Sequence, residues 1–420
     1  MAEQTAAAPP ARRAAFGFIF AVALINSISF GLMIPILPNL IKMFTGGDTA
    51  AASEWNVVFA VTWGALQFVF APILGMLSDR VGRRPVLLVS LFGLAIDFLV
   101  MALAPNLMWL WIGRVINGLT AASMPTANAY VADVTPPHER ARAFGWIGSA
   151  MSFGFVGGPA LGGWLGDIDL RLPFYVAAAL TAMNWLYGLL ILPESHPPEK
   201  RLKKFDWRRA NPVGSLMLLR SHGELLALAA IWFLYQLAHM VYPAIFVLYT
   251  GHRYGWSPAI IGLSMMVSGV LGVLVQSLLV GPVVQRIGER GALLMGAVCG
   301  ATGMAIYGWA PAPWAYFSAM PFAALMALVI PGLQGLMTRR VAAHEQGQLQ
   351  GANQGLTGIA ALIGPILFGL TFAWSLRHEA SLQAPGLAIY IAASLMVLAF
   401  VIGLRTAKAP HPELSREPAG

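Results

Sequence analysis

Three ionisable side chains lie inside long apolar runs of the chain: Asp97, Arg114 and His239. A charge at mid-bilayer depth costs ~2.5–3.5 kcal/mol on insertion scales, so each needs a partner, a wet cavity or a function. Asp97 precedes and Arg114 follows a hairpin near residues 105–106 by equal chain lengths, so two helices there bring both to a similar depth. They can pair directly or through water. Protonation of Asp97 would then release Arg114, which is the chemistry of a proton switch; a static ion pair, or Asp97 facing an unrelated pocket, is the plainer alternative. His239 sits within Tyr235-Gln236-Leu237-Ala238-His239-Met240-Val241-Tyr242. Imidazole titrates near neutrality, so His239 can carry a proton or hold a substrate, or can be a hydrogen-bonded structural histidine. Gln236, His239 and Tyr242 or Pro243 share one helix face. With Asn26 and Asn117 they are expected to line a central polar cavity. Gln350, Asn353 and Gln354 are expected to serve packing and gate closure.

The elements that hold these residues follow from composition. Hydrophobic residues make up 58% of the 420 and charged residues only 10%, against ~25% charged in soluble domains. Such a chain cannot cover a water-facing surface, which excludes a soluble enzyme. The one cysteine, Cys299, excludes an internal disulfide. Twelve apolar segments emerge, about 16–41, 56–77, 86–104, 107–132, 142–165, 172–192, 224–249, 257–283, 291–310, 313–337, 349–374 and 385–404. Backbone groups in hydrocarbon must bond internally, so these spans are helices and the fold class is an all-α membrane protein. The first apolar run is too long for a signal-peptide core and is taken as span 1, retained.

Lys and Arg set the orientation. With the N-terminus in the cytoplasm, 21 of the 26 fall in cytoplasmic segments and four in outside loops, namely Lys42, Arg171, Arg253 and Arg377; Arg114 is within a span. Both termini are therefore expected inside, in the cell (inner) membrane. This distribution accounts for the net charge of +8, and nucleic-acid binding has no separate support. The domain expectation is a cytoplasmic tail 1–15, a six-helix bundle 16–192, a cytoplasmic linker 193–222 rich in Pro, Lys, Arg and Glu, a second bundle 223–405 and a tail 406–420. A shift of 206 residues superposes the halves: Gly75 on Gly281, Arg80 on Arg286, Gly82 on Gly288, Pro125 on Pro331, Gly145 on Gly351, Gly158-Pro159 on Gly364-Pro365 and His138-Glu139 on His344-Glu345. Two parallel six-helix repeats place a substrate site near the midplane between halves, which points to alternating access.

Three motifs add detail. After span 2 runs Gly75-Met76-Leu77-Ser78-Asp79-Arg80-Val81-Gly82-Arg83-Arg84. Its glycines permit a tight turn, its arginines stay at the interface, and Asp79 can cap the N-terminus of a neighbouring helix, a contact able to bias a gate. In the second half Gln285 replaces the acid. Span 4 carries Leu110, Arg114, Asn117, Gly118, Ala121 and Ala122. Span 5 carries Gly145, Gly154, Gly158, Pro159, Gly162 and Gly163, in which Gly154, Gly158 and Gly162 form a small-residue stripe for close helix contact and Pro159 can bend the helix.

The first motif resembles the loop signature of the major facilitator superfamily, the second and third resemble the span-4 and span-5 signatures of its drug/H⁺ antiporters, and the stretches FAPILGMLSDRVGRRPVLL, VADVTPPHERARAFGW, LPESH and GQLQG look like its tetracycline-efflux branch. The resemblance implies a role for Arg114 in proton coupling, a pairing of Asp133 with the loop arginine Arg83, and a substrate-cavity position for Gln276; Asp79, Asp97, Gln350 also match by position. The chain departs from that branch at Asn26, where an acid is usual, at Gly272, where a histidine is usual, and at Asn117, where glutamine is usual in the antiporter motif.

The expected function is proton-driven export of an amphipathic drug-like molecule, by a monomer embedded in lipid, through rocker-switch alternating access. Uptake or facilitated passage of a metabolite or lipid, with another coupling ion or none, is the alternative, kept open by Asn26. No cofactor or metal is expected. An enzyme is disfavoured, since the His-Glu pairs lack the second histidine of H-E-x-x-H and no G-x-S-x-G occurs.

Overall fold

The computed structural model describes residues 10–201, 223–342 and 345–406. Most of the linker, the ends of both tails and His344 lie outside the described residues. All twelve expected spans are helical, and no strand occurs among the described residues. The helices are α1 (Pro10–Met33), α2 (Leu37–Phe44), α3 (Thr49–Val81), α4 (Arg83–Leu103), α5 (Leu107–Thr120), α6 (Ser123–Val134), α7 (Arg140–Ile168), α8 (Leu172–Ile191), α9 (Gly223–His239), α10 (Val241–Tyr254), α11 (Pro258–Leu274), α12 (Val280–Trp309), α13 (Pro313–Leu325), α14 (Val329–Thr338), α15 (Gln346–Arg377), the short α16 (Glu379–Leu382) and α17 (Leu387–Thr406). Nine described stretches are long and apolar enough to cross a membrane, and one of them, Pro258–Trp309, holds spans 8 and 9. Span 4 is interrupted and span 5 is diluted by its glycines, so neither stands out by hydropathy.

The 206-residue shift reappears in the backbone. Span 1 breaks at residues 34–36 and span 7 at Met240. Span 4 breaks at Ala121 and Ala122, and span 10 passes through a 3₁₀ turn at Met326–Leu328. The cause is shared: Pro35, Pro125, Pro243 and Pro331 each lack the N–H that would continue the ladder. Gly82 and Gly288 both take positive φ, +113° and +72°, where a side chain would be strained. Gly288 thereby separates spans 8 and 9 inside α12.

The described chain falls into two compact units. The first holds residues up to Gly46, Thr62–Ala210 and Trp256–Met266. In it α1 packs on α7 and α8, and α4 packs on α5 and α8. Its core includes Phe18, Val22, Leu87, Leu91, Tyr130 and Ile147. The second holds Gly47–Val61, Asn211–Gly255 and Val267 onward. There α9 packs on α15 and α17, and α12 on α13 and α17, the same pairings one repeat later. Large apolar side chains such as Phe153, Leu190 and Trp314 are exposed, as a lipid-facing surface requires.

The span-5 glycines are used in the first unit. Gly158 lies against the backbone of Gly31 and Ile28, Gly154 against Ser27, and Gly162 against Leu32, so α1 and α7 meet backbone to backbone. Gly163 takes the start of α11 at Pro258. One repeat later, in the second unit, Gly369 takes the start of α3 at Val57, and Ser53 donates to the Gly369 carbonyl at 2.8 Å. Gly145 approaches nothing.

Candidate functional site

Asp97 on α4 and Arg114 on α5 are paired directly, Arg114 Nη2 donating to Asp97 Oδ2. Asp97 is fully buried and Arg114 is 4% exposed. Asp97 Oδ1 and Arg114 Nε have no hydrogen-bond partner. Gly113 lies against Asp97 Oδ1, and a side chain there would collide with it. Attraction within a buried ion pair offsets its desolvation best when the remaining lone pairs and protons are also satisfied, and here the pair is held by the single Arg114 Nη2–Asp97 Oδ2 hydrogen bond.

Asn117 follows Arg114 by three residues on α5, about one helical turn away. It opens onto a cavity of about 260 Å³ within the first unit. Asn26, Phe30, Trp63, Gln67 and Ser123 are among its other walls. The Trp63 indole donates to Asn117 Oδ1 at 2.5 Å, and Asn26 Nδ2 donates to Ser123 Oγ at 2.9 Å. Phe30 stands between Trp63 and Phe155, with ring centroids 6.2 and 5.8 Å away. Trp63, Gln67 and Ser123 escaped the sequence reading, because a Trp or Gln within an apolar run carries no depth or direction until its helix is packed.

In the second unit Gln236 donates to Thr357 Oγ1 at 2.9 Å, and the same hydroxyl takes the Trp232 indole at 3.1 Å. His239 is exposed and lies between two rings, Tyr235 at 6.1 Å and Tyr242 at 5.5 Å, without a hydrogen bond. The Tyr242 hydroxyl is buried and unpaired. Gln276 is exposed, in a π-helical turn at Val275–Leu279, and it lines none of the cavities described. Gln350 and Gln354 are exposed, whereas Asn353 is buried with its carboxamide unpaired.

At the junction of α3 and α4, Arg83 is the hub. It bonds Asp79 at 2.5 Å, Asp133 at 3.1 Å and Ser78 at 3.1 Å. Asp79 thus serves Arg83, and the exposed amides at the start of α4 go to Glu194, which accepts from Arg83 N at 2.8 Å and Arg84 N at 3.3 Å. Ser195 Oγ and His196 Nδ1 approach Asp133 at 3.3 and 3.7 Å. Arg80 is exposed, and Arg84 Nη2 reaches the Leu189 carbonyl at 2.7 Å. Gly75 meets nothing within 4 Å.

Comparison with known proteins decides the family. The model of the Major Facilitator Superfamily matches residues 19–365. The chain belongs to the Major Facilitator Superfamily. The class C tetracycline resistance protein of Escherichia coli is 38% identical over 357 residues, 85% of this chain and 89% of the relative. The class H protein of Pasteurella multocida is 33% identical, over 91% of this chain and 94% of its own length. Among solved structures, the human organic anion transporter MFSD10 aligns with a TM-score of 0.65 at 23% identity, over 94% of this chain and all of that one. The nucleoside transporter NupG gives 0.73 at 14% identity over 94% and 99%. These two likenesses concern the fold. As a member of the superfamily the chain is a multi-pass membrane transporter with tetracycline resistance proteins among its relatives, and its loop signature is the Arg83 hub described above.

Proposed function

We propose that this transporter exports amphipathic organic molecules in exchange for protons, by alternating access, as a monomer in the cell membrane with both termini in the cytoplasm. The moving bodies are the bundles 16–192 and 223–405. The tetracycline resistance of the relatives supports a drug-like substrate. One observation carries the coupling: the buried, singly bonded Asp97–Arg114 pair lies one turn along α5 from Asn117, a wall of the cavity. Protonation of Asp97 releases Arg114, and a changed Arg114 repositions α5 and its cavity face. A proton can bias two states only through different affinities for them, and a pair made in one state supplies that difference.

In the second unit His239 would meet substrate or proton together with Gln236 and Tyr242, a reading supported by its exposure and its contact with the Tyr242 ring. The Arg83 hub, with Gly75, Asp79, Arg80, Gly82, Arg84 and Asp133, acts as the cytoplasmic gate, and the glycines from Gly145 to Gly163 give the α1–α7 contact its closeness.

The test is expression in an efflux-deficient host against a drug panel, followed by transport in proteoliposomes under an imposed pH gradient. Export that needs the gradient is expected. Asp97→Asn should abolish gradient-driven transport while leaving substrate binding, and His239→Ala should alter the pH profile. Full pH-driven transport by Asp97→Asn would remove the coupling role, and accumulation that rises with expression would replace export by uptake.

A further inference from the structure

The cavity in the first unit has fourteen lining residues, none of them Asp, Glu, Lys, Arg or His. Its polar groups are carboxamides, hydroxyls and an indole, and two of the carboxamides, Asn26 and Asn117, are oriented by neighbours. Asn26 spends an N–H on Ser123, which turns its carbonyl oxygen into an available acceptor. Asn117 accepts from the Trp63 indole, which turns its amide N–H groups into available donors. Gln67 makes no hydrogen bond to another described residue and offers both. Phe30, tilted against Trp63 and edge-on to Phe155, supplies an aromatic wall suited to a ring system.

We propose that this cavity is the selectivity site of the exporter and that it takes planar molecules with no net charge, reading one donor and one acceptor through Asn26 and Asn117. This rests on the export reading above for its physiological role, though not for its binding chemistry. A charged guest leaves its hydration shell and meets no opposite charge in the walls. The aromatic faces attract a cation, but more weakly than lost hydration repels it. An uncharged guest loses only hydrogen bonds to water, and the open carbonyl and amide replace them. Asn26 is therefore the residue that sets the charge class of the ligand, with Gln67 the second position able to do so.

The experiment uses the purified full chain in nanodiscs and equilibrium binding of matched planar aromatics carrying a carboxamide, a carboxylate or an ammonium group on one scaffold. The carboxamide member should bind tightest. Asn26→Asp should shift the preference toward the ammonium member by about tenfold, the size of one partly screened charge pair. Gln67→Glu should move it the same way and covers the case in which Asn26→Asp fails to fold. Equal binding of charged and uncharged members by the unmodified protein overturns the proposal. So does an unchanged preference in both variants, or the absence of binding by any member. Failure of export with these preferences intact would sink the transport direction alone.

Discussion

Arg114 and Asp97 are bound to each other by one contact and to little else, and that sets the energetic scale of the site. Truncating one member of a buried pair strands the other and costs ~3–5 kcal/mol, whereas replacing both by apolar residues of similar volume is often neutral. Arg114→Met should therefore lower thermal stability in detergent strongly, and Asp97→Leu with Arg114→Met together should recover most of the loss while leaving transport uncoupled from the pH gradient. A double variant as unstable as the single one would show that the pair is structural packing rather than a switch. Depth and polarity made Asp97 and Arg114 legible in the sequence, because an ionisable residue in an apolar run stands out. Glu194 was not legible in this way. Its role depends on meeting amides 111 residues away, and only the packed α4 start supplies that partner.

At the scale of the helix, the span-5 motif divides into glycines that are needed for contact and one that is not. A Cβ on Gly158 would sit 2.8 Å from Gly31 Cα, a backbone atom that cannot swing aside. Gly158→Leu should force α1 and α7 apart, with a cost of at least the ~1–3 kcal/mol of an overpacked core, read as a lowered unfolding temperature and yield. Gly145→Leu has open space around it and replaces a poor helix former, so it should be neutral or stabilising by up to ~1 kcal/mol. Equal damage by both would contradict this division. The helical character of the apolar spans was legible from hydropathy and the stripe of small residues from its spacing. The breaks in spans 1, 4, 7 and 10 were present as prolines in the sequence, but whether a proline bends, breaks or merely begins a helix depends on the neighbours that take up the freed carbonyl. Gln276 shows the converse. A position matched by family pattern turned out exposed, in a π turn whose wide ladder no hydrophobic periodicity announces.

Across the molecule, each compact unit includes a helix start encoded in the other half of the sequence, Trp256–Met266 in the first and Gly47–Val61 in the second. Gly163 and Gly369 receive them. Residues 1–210 expressed alone would leave Gly163 without Pro258, and residues 211–420 alone would leave Gly369 without Val57. Each fragment should be unstable by itself, and co-expression of the two should restore a folded transporter, measured by yield in the membrane and by size-exclusion behaviour. Two independently stable fragments would show that these borrowed segments add little.

The uncharged lining of the first-unit cavity has an electrical consequence. On the proposed exchange of an uncharged cargo for one proton, each turnover would move one positive charge inward, and the membrane voltage would drive the cycle along with the acidity difference. At ~2.3 kcal/mol per charge for each 100 mV, a resting potential supplies an appreciable part of the driving force even when the pH is equal on both sides.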